Sequence, residues 1–265
     1  MGLILLRLTL AMYLAATLAA GAAVLGRRRL WDRVVPGLMA AGCAFHLGAV
    51  LARSVAVGRC PLHTTGEVVS LLSLLGMLIF LIGFYRRGMQ TLSLVLLPLA
   101  MVLAFISNLL PAGTLPVTGR SLDHLLTLHV AVSTLGVAAL FLTFAGSVLY
   151  LWQERALKRK GGAALLRLRL PPLEACDALV YGTLVLGFLL MTLGIVTGAL
   201  WKVSSPSHAF WLWEKRETLS LLAWAIFGTL IGARILAGWR GRKAAYLALA
   251  GVTAVLLRMM GLSLL

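Results

Sequence analysis

Charge is scarce in this 265-residue chain: 12% of the residues are charged, and only eight are Asp or Glu. A water-soluble globular protein has about 25% charged and roughly 45–50% apolar residues. This chain is 61% apolar, with a mean hydropathy of +0.98, which excludes an ordinary soluble domain. Because a bilayer crossing takes about 20 apolar residues, about eight crossings fit the length with short connections. We predict an all-α, polytopic integral membrane protein in which residues 1–265 form a single domain.

Cysteine is scarce as well, and other patterns are missing. Cys43, Cys60 and Cys176 form no CxxC pair and lie in three different segments. Their spacing argues against a thiol-disulfide enzyme and against a zinc site. No acid lies convincingly at the middle of an apolar run, which weakens the case for a secondary transporter. The apolar runs are continuous and do not alternate with polar residues, as the strands of a transmembrane β-barrel would.

The continuous apolar runs predict eight transmembrane helices. The first run is interpreted as a span and not as a signal peptide, because it ends in Arg27, Arg28 and Arg29 and lacks a small-residue cleavage site. The eight spans cover approximately residues 2–25, 34–54, 67–85, 90–110, 125–152, 175–201, 217–237 and 244–264.

The basic residues predict the orientation of these spans. Of the 24 Lys and Arg, 16 lie in or beside the odd-numbered loops, six lie in the even-numbered loops, and two lie near the chain termini. The positive-inside rule therefore places the odd loops in the cytoplasm and both termini outside. The net charge of +16 then reflects topology, and we expect no nucleic-acid partner. The basic linker 154–172 is predicted to lie against the headgroups of anionic membrane lipids.

All five histidines lie away from the predicted cytoplasmic side. His63, His124 and His208 fall in outer loops, and His129 lies about one turn below the outer end of span five. His46 lies past the middle of span two, roughly 18 Å from its inner end at 1.5 Å per residue. Imidazole is a common axial ligand of haem iron, so this distribution indicates a haem site in the outer half of the membrane. The alternative for a histidine within a span is an interhelical hydrogen bond.

A tryptophan-rich outer loop between spans six and seven is the second candidate feature. Four of the seven tryptophans lie in residues 201–224. An aromatic belt at the bilayer interface is the alternative, but belt tryptophans need not cluster in one loop. Flat aromatic faces can stack on a porphyrin, and basic groups can pair with its propionates. The cofactor-binding residues predicted here are Trp201, Trp211, Trp213, Glu214, Arg216 and Glu217.

Several sequence blocks resemble the CcsA/ResC/CcmC superfamily of haem-handling cytochrome c assembly proteins. The run Trp211–Thr218 reads WLWEKRET and is similar to the superfamily signature WGxxWxWDPKExW in its W-x-W core and its final acid. Four further blocks match in the same order along the chain, so the resemblance covers most of residues 58–245. These blocks are residues 58–67, 128–133, 171–201 and 238–244.

The departures from the superfamily pattern point to one of its branches. The chain has no histidine after His208, and it reads Gly-Ala-Arg at 232–234 where the synthetases have a histidine near the end of the seventh span. The superfamily has a histidine just before the third span. At that place this chain either has Arg59 instead or carries the histidine at a shifted position, His63. The chain is therefore closest to the short HemX/YpjD-like branch. We expect no independent catalysis and name no catalytic residues, although the chain could form part of a haem lyase system.

The resemblance implies a haem-binding protein that acts in cytochrome c maturation or haem delivery at the outer face of a bacterial cytoplasmic (inner) membrane. His129 and His46 are the predicted ligands of the iron of haem b, and His208 is an alternative to His46. Trp211 and Trp213 would pack against the ring. The implied partners are haem, apocytochrome c, other cytochrome c assembly membrane proteins and membrane lipid. The alternative function is a non-catalytic HemX-like regulator of haem biosynthesis or an accessory subunit of a membrane complex.

The acids at two span ends are predicted to be helix caps. Glu67 begins span three and Asp177 lies near the start of span six, where a carboxylate favours the N-terminal end of a helix.

Overall fold

The structure, a computed structural model, is helical throughout the part of the chain that it describes. It describes residues 2–24, 33–58, 62, 64–84, 89–110, 120–158, 172–204 and 215–259, with the side chains at 24, 89, 120–123, 215–217 and 258–259 left out. The helices are α1 (Gly2–Val24), α2 (Val35–Val57), α3 (Thr65–Gly83), α4 (Ser93–Leu109), α5 (Arg120–Lys158), α6 (Leu173–Ser204), α7 (Lys215–Ala237) and α8 (Arg242–Met259). A short 3₁₀ helix, Met89–Leu92, leads into α4.

These helices confirm the predicted all-α, multi-pass membrane architecture. Each predicted span corresponds to one helix, and seven helices among the described residues are long and apolar enough to cross a membrane. The remaining helix, α8, has 18 residues, which is barely enough to cross the bilayer. Three of these residues, Arg242, Lys243 and Arg258, are charged, which disfavours a membrane span. The outward orientation of both termini stays a prediction.

Helices α5 and α6 are longer than the spans predicted for them. They contain 39 and 32 residues, against 28 and 27 in the predicted spans 125–152 and 175–201. Charged residues with good helix propensity continue α5 past the end of its apolar run, as far as Lys158. At the other end α5 begins at Arg120, so His124 lies on the helix and not in a loop as predicted.

The chain divides into two compact units. Unit 1 consists of Met1–Gly113 and Val148–Cys176, and unit 2 consists of Thr114–Ser147 and Asp177–Leu265. The boundary between them falls within α5 and again near the start of α6, so unit 1 contains α1 to α4 and unit 2 contains α7 and α8.

Close helix packing builds the core of unit 1. Tyr13 of α1 is fully buried against Gly42 of α2, where a Cβ atom would lie only 2.6 Å from the tyrosine ring. On the other side of the unit, the Ser73 hydroxyl of α3 donates a hydrogen bond to the Ala100 carbonyl of α4 at 2.8 Å. Such contacts between small residues and ring or backbone atoms bring membrane helices close together.

The core of unit 2 is formed by apolar side chains of α5 to α8. The buried residues include Leu140, Leu184, Phe227, Leu230 and Val252. Trp224 of α7 stacks on Phe188 of α6 with ring centroids 5.6 Å apart, and its indole N–H donates to the Thr192 hydroxyl at 3.0 Å. Trp224 therefore fixes α7 on α6.

Candidate functional site

His129 lies on α5 in unit 2 and contacts α6 through a backbone carbonyl. Its Nδ1 atom is 2.7 Å from the carbonyl oxygen of Gly194 and 3.4 Å from the hydroxyl of Thr197. Because α5 begins at Arg120, His129 lies nine residues into the helix, roughly 14 Å from its first residue. The candidate membrane span of this helix begins at His124, about one turn before His129.

The hydrogen bond to Gly194 fixes the tautomer of His129. A carbonyl oxygen can only accept, so Nδ1 must donate and has to carry the ring proton. In the neutral imidazole, Nε2 then bears the lone pair that a metal ion would bind. Metal-binding histidines in proteins usually donate their other ring N–H to a carbonyl or carboxylate in this way. The donor atom and its support fit a haem-iron ligand.

Two glycines of α6 make room for this histidine. A Cβ atom on Gly198 would lie 2.8 Å from Cε1 and 3.0 Å from Nδ1 of His129. A Cβ atom on Gly194 would lie 2.5 Å from the Ser133 hydroxyl, one turn further along α5. Gly194 and Gly198 form a G-x-x-x-G pattern, which lets two membrane helices approach closely. This pattern was visible in the sequence and would have indicated the helix face that receives His129.

His46 lies on α2 in unit 1 and is held differently. Its side chain is fully buried, with Nε2 2.9 Å from the hydroxyl of Ser70 on α3 and Nδ1 3.4 Å from the hydroxyl of Tyr13 on α1. Both ring nitrogens thus have hydroxyl partners on neighbouring helices. The structure shows the interhelical hydrogen-bonding role that was the alternative for a histidine within a span. A bond from Nε2 to iron would require the Ser70 hydroxyl to leave.

The tryptophan loop falls mostly outside the described residues. His208, Trp211, Trp213 and Glu214 are not described, and Arg216 and Glu217 are described only as backbone in the first turn of α7. Trp201, which the sequence placed at the end of span six, is half-buried in the last turn of α6, because the helix continues to Ser204.

Glu67 confirms the predicted helix cap of α3. Its backbone N–H donates to the Thr64 hydroxyl at 3.2 Å, and the Thr64 N–H donates back to Oε2 of Glu67 at 3.2 Å. This reciprocal pair is a capping box. The Arg53 guanidinium, which the sequence did not connect with Glu67, donates to Oε1 at 3.0 Å. The buried carboxylate therefore joins the ends of α2 and α3.

Asp177 does not cap α6, contrary to the prediction. The helix begins at Leu173, so Asp177 lies in its second turn. Its two carboxylate oxygens accept hydrogen bonds from Arg234 of α7 at 3.0 and 2.6 Å, and the Gly241 N–H approaches Oδ1 at 3.4 Å. The Arg234 guanidinium also lies 4.3 Å from the centre of the Tyr181 ring. The partners of Asp177 lie more than 50 residues away in sequence, which local sequence rules cannot detect.

The described residues contain no metal-binding cluster that would be a second candidate site. Within the described residues, no three His, Cys, Asp or Glu side chains are grouped so that they could hold a metal ion. His129, which has one carbonyl-bonded nitrogen and one lone-pair nitrogen, is the candidate ligand that the geometry supports best.

The helices define a multi-pass helical membrane protein in which the His129 imidazole is held by a backbone carbonyl. Residues 62–265 match the family described as Cytochrome C assembly protein, so the chain belongs to that family. The match begins close to the predicted segment 58–245 and continues to residue 265. It includes His129 and excludes His46.

Three relatives show the extent of this similarity, and each is a cytochrome c biogenesis protein CcsA. The Prochlorococcus marinus (strain MIT 9303) protein is 34% identical over 110 residues, which are 42% of this chain and 34% of the relative. The Parasynechococcus marenigrum (strain WH8102) protein is 31% identical over 186 residues, covering 62% of this chain and 61% of the relative. The Guillardia theta protein is 28% identical over 199 residues, covering 68% and 66%.

These matches confirm the resemblance to the CcsA/ResC/CcmC superfamily and a place in cytochrome c assembly. The chain spans only about a third of the length of the first two of the CcsA relatives it matches.

Proposed function

We propose that this chain binds haem through His129 and handles it during cytochrome c maturation. The single observation that supports this most strongly is the 2.7 Å hydrogen bond from Nδ1 of His129 to the Gly194 carbonyl. That bond orients the imidazole and leaves the lone pair on Nε2, as in metal-binding histidines. Membership of the cytochrome C assembly protein family supports haem as the ligand.

The protein residues have distinct roles in this proposal. The Gly194 carbonyl holds the imidazole and raises the electron density on Nε2, and Gly198 leaves the space that the ring occupies. A bound haem would supply a redox-active iron and a vinyl-bearing ring. The aromatic and charged residues proposed to surround that ring are Trp201, Trp211, Trp213, Glu214, Arg216 and Glu217.

The second axial ligand is proposed to be His46, with His208 as the alternative. If His46 binds iron through Nε2, Ser70 must give up its 2.9 Å hydrogen bond, and Nδ1–H would then donate to the Tyr13 hydroxyl oxygen and hold the ring. His208 is the alternative because it lies beside the tryptophan pair in the sequence.

The finer features of this function are proposals too. Haem b is the proposed cofactor, with apocytochrome c and other cytochrome c assembly membrane proteins as protein partners. The proposed location is the bacterial cytoplasmic membrane, with both termini and the tryptophan loop outside. Residues 1–265 would act as one membrane domain of the HemX/YpjD-like branch, without catalytic residues of its own.

The test is an absorption spectrum of the protein purified in mild detergent, oxidised and reduced. We expect a Soret band with sharp α and β bands, which indicate haem with two strong axial ligands. His129→Ala should remove most of this absorbance. The matched control is His124→Ala, because His124 lies on the same helix and is exposed. Equal haem content in both variants would overturn the assignment of His129.

A second candidate function is the non-catalytic regulator of haem biosynthesis or accessory subunit. The observation that favours it is His46, since both of its ring nitrogens already bond to protein hydroxyls. Under this alternative, the histidines within the spans serve only to hydrogen-bond one helix to another. It predicts that the purified protein shows no Soret band even after reconstitution with haem.

A further inference from the structure

The turn between α7 and α8 concentrates positive charge at one end of unit 2. Arg240, Arg242 and Lys243 are all exposed there within four consecutive positions. Two of these cations lie over aromatic rings: the Arg242 guanidinium is 5.5 Å from the centre of the Tyr246 ring, and the Lys243 ammonium is 5.5 Å from the centre of the Trp239 ring. Cation–π contacts of this kind restrict where the charged groups can point.

The acid that contacts this turn, Asp177, is already neutralised. The Asp177 carboxylate accepts two hydrogen bonds from Arg234 in a bidentate pair. Among the ion pairs of the described residues, none involves Arg240, Arg242 or Lys243. Three cations on one short turn are therefore not balanced by protein carboxylates in the described part of the unit.

The same carboxylate also fixes the turn that presents these cations. Asp177 accepts from the Gly241 N–H at 3.4 Å, and the Trp239 N–H donates to the Ala233 carbonyl at 3.2 Å. Gly238 and Gly241 adopt φ angles of 63° and 67°, which side-chain-bearing residues rarely adopt. The turn thus has a backbone geometry specified by its glycines and held by hydrogen bonds.

Exposed apolar surface borders the turn. Helix α7 is apolar enough to cross the membrane, and its last residues include Ile235 and Leu236, which are 66% and 89% exposed. The turn that follows therefore lies at the level of the headgroups, where Trp and Tyr are enriched. A ligand with both a phosphate and an acyl chain would contact the cations and this apolar surface together.

From this arrangement we infer that residues 238–246 form a binding site for the phosphodiester headgroup of an anionic phospholipid. Arg240, Arg242 and Lys243 bind the phosphate oxygens, and Ile235 and Leu236 contact the acyl chains. Arg is suited to paired hydrogen bonds with phosphate, and basic pockets beside membrane helices bind anionic lipids. The inference does not depend on haem binding.

The test uses the full chain, purified in detergent, delipidated and titrated with phosphatidylglycerol while bound lipid is counted by native mass spectrometry. We expect one tightly bound phosphatidylglycerol and much weaker binding of phosphatidylcholine with the same acyl chains. The double variant Arg242→Gln with Lys243→Gln should weaken this binding about thirtyfold, because each charge removed should weaken it about fivefold. Both side chains are exposed, so the variant is expected to fold.

The matched control removes two exposed charges from unit 1, which does not contain the turn: Arg7→Gln with Arg33→Gln. We expect that double variant to bind phosphatidylglycerol within about twofold of the unmodified protein, because its charges lie outside the proposed site. Equal losses in the two double variants would mean that only total charge matters and would overturn the inference. Equal binding of phosphatidylcholine would overturn it as well. Displacement of the lipid by inorganic phosphate at equal concentration would show that the site takes free phosphate instead.

Discussion

The two units hold their histidines and carboxylates by different means. In unit 2, His129 bonds to a carbonyl, which can only accept, so its protonation pattern is determined. In unit 1, His46 bonds to two hydroxyls, each of which can donate or accept, so either tautomer satisfies both bonds. The carboxylates differ as well. Glu67 caps its own helix and also pairs with Arg53 of α2, whereas Asp177 caps no helix and joins α6 to α7. A backbone carbonyl thus fixes the tautomer of His129, whereas the two hydroxyls around His46 leave its tautomer open and connect three helices.

Removal of the Asp177 carboxylate should have the largest effect on stability. Its pair with Arg234 is 2.6 Å long and the two side chains are only 18% and 11% exposed, so Asp177→Ala leaves a largely buried guanidinium without its partner. We expect a loss of about 3–5 kcal/mol in the free energy of unfolding, seen as a lower Tm in detergent.

Glu154→Ala is the control for this prediction. The Glu154–Lys158 pair has the same 2.6 Å distance, but the lysine is 64% exposed. Exposed pairs within a helix contribute about 0.3–0.5 kcal/mol. Similar Tm changes in the two variants would contradict the view that Asp177 joins the helices of unit 2.

Gly198→Ala should have the next largest effect, and it acts on His129 directly. The new methyl group would lie 2.8 Å from the imidazole, so the ring or α6 has to move. Overpacking of this kind costs about 1–3 kcal/mol. We also expect a weaker or shifted haem absorption band, because the moved ring loses its orientation.

The control is Gly232→Ala on α7, where a Cβ atom meets nothing within 4 Å. That variant should keep both the Tm and the spectrum of the unmodified protein. If the two alanine variants behave alike, the close fit of His129 against α6 has no functional consequence.

Ser70→Ala tests the other histidine, with a smaller effect. It removes the hydroxyl 2.9 Å from Nε2 of His46 and leaves a buried nitrogen without this partner, which costs about 1–2 kcal/mol. If His46 only joins helices, the haem spectrum stays unchanged while the Tm falls. A stronger haem band in this variant would instead show that the Ser70 hydroxyl and the haem iron compete for Nε2 of His46.

Thr64→Ala should have the smallest effect of the series. It removes the hydroxyl that caps α3, and the loss of such a cap costs about 1 kcal/mol. Thr65→Ala is the control, since Thr65 is exposed and lies just inside the helix. A change at Thr65 as large as that at Thr64 would argue against the capping box as a source of stability in unit 1.

Most of the fold could be predicted from the sequence because apolar run length is a local property. The eight α-helices of the described residues were all expected, and their centres are correct. The predicted helix ends were less accurate where the apolar run stops but residues with high helix propensity continue the helix. Residues 153–158 are polar or charged for the most part, yet they continue α5, because Glu, Arg, Leu and Lys are good helix formers.

The candidate site could be predicted only in part. His129 was found from its position and the family resemblance, and the glycines at 194 and 198 were visible as a pattern. The partners of His46 could not be found, since they depend on which faces of α1, α2 and α3 meet. The Asp177–Arg234 pair was missed for the same reason: its residues are 57 positions apart.

The length of α5 has a consequence for where its ends lie. At 1.5 Å per residue its 39 residues extend roughly 58 Å, about twice the 30 Å thickness of the hydrocarbon layer. Even at a tilt of about 40°, the upper end of the usual range, the helix would still cover roughly 45 Å along the bilayer normal. Several turns of α5 must therefore lie outside the hydrocarbon layer, among the lipid headgroups or in the water beyond them.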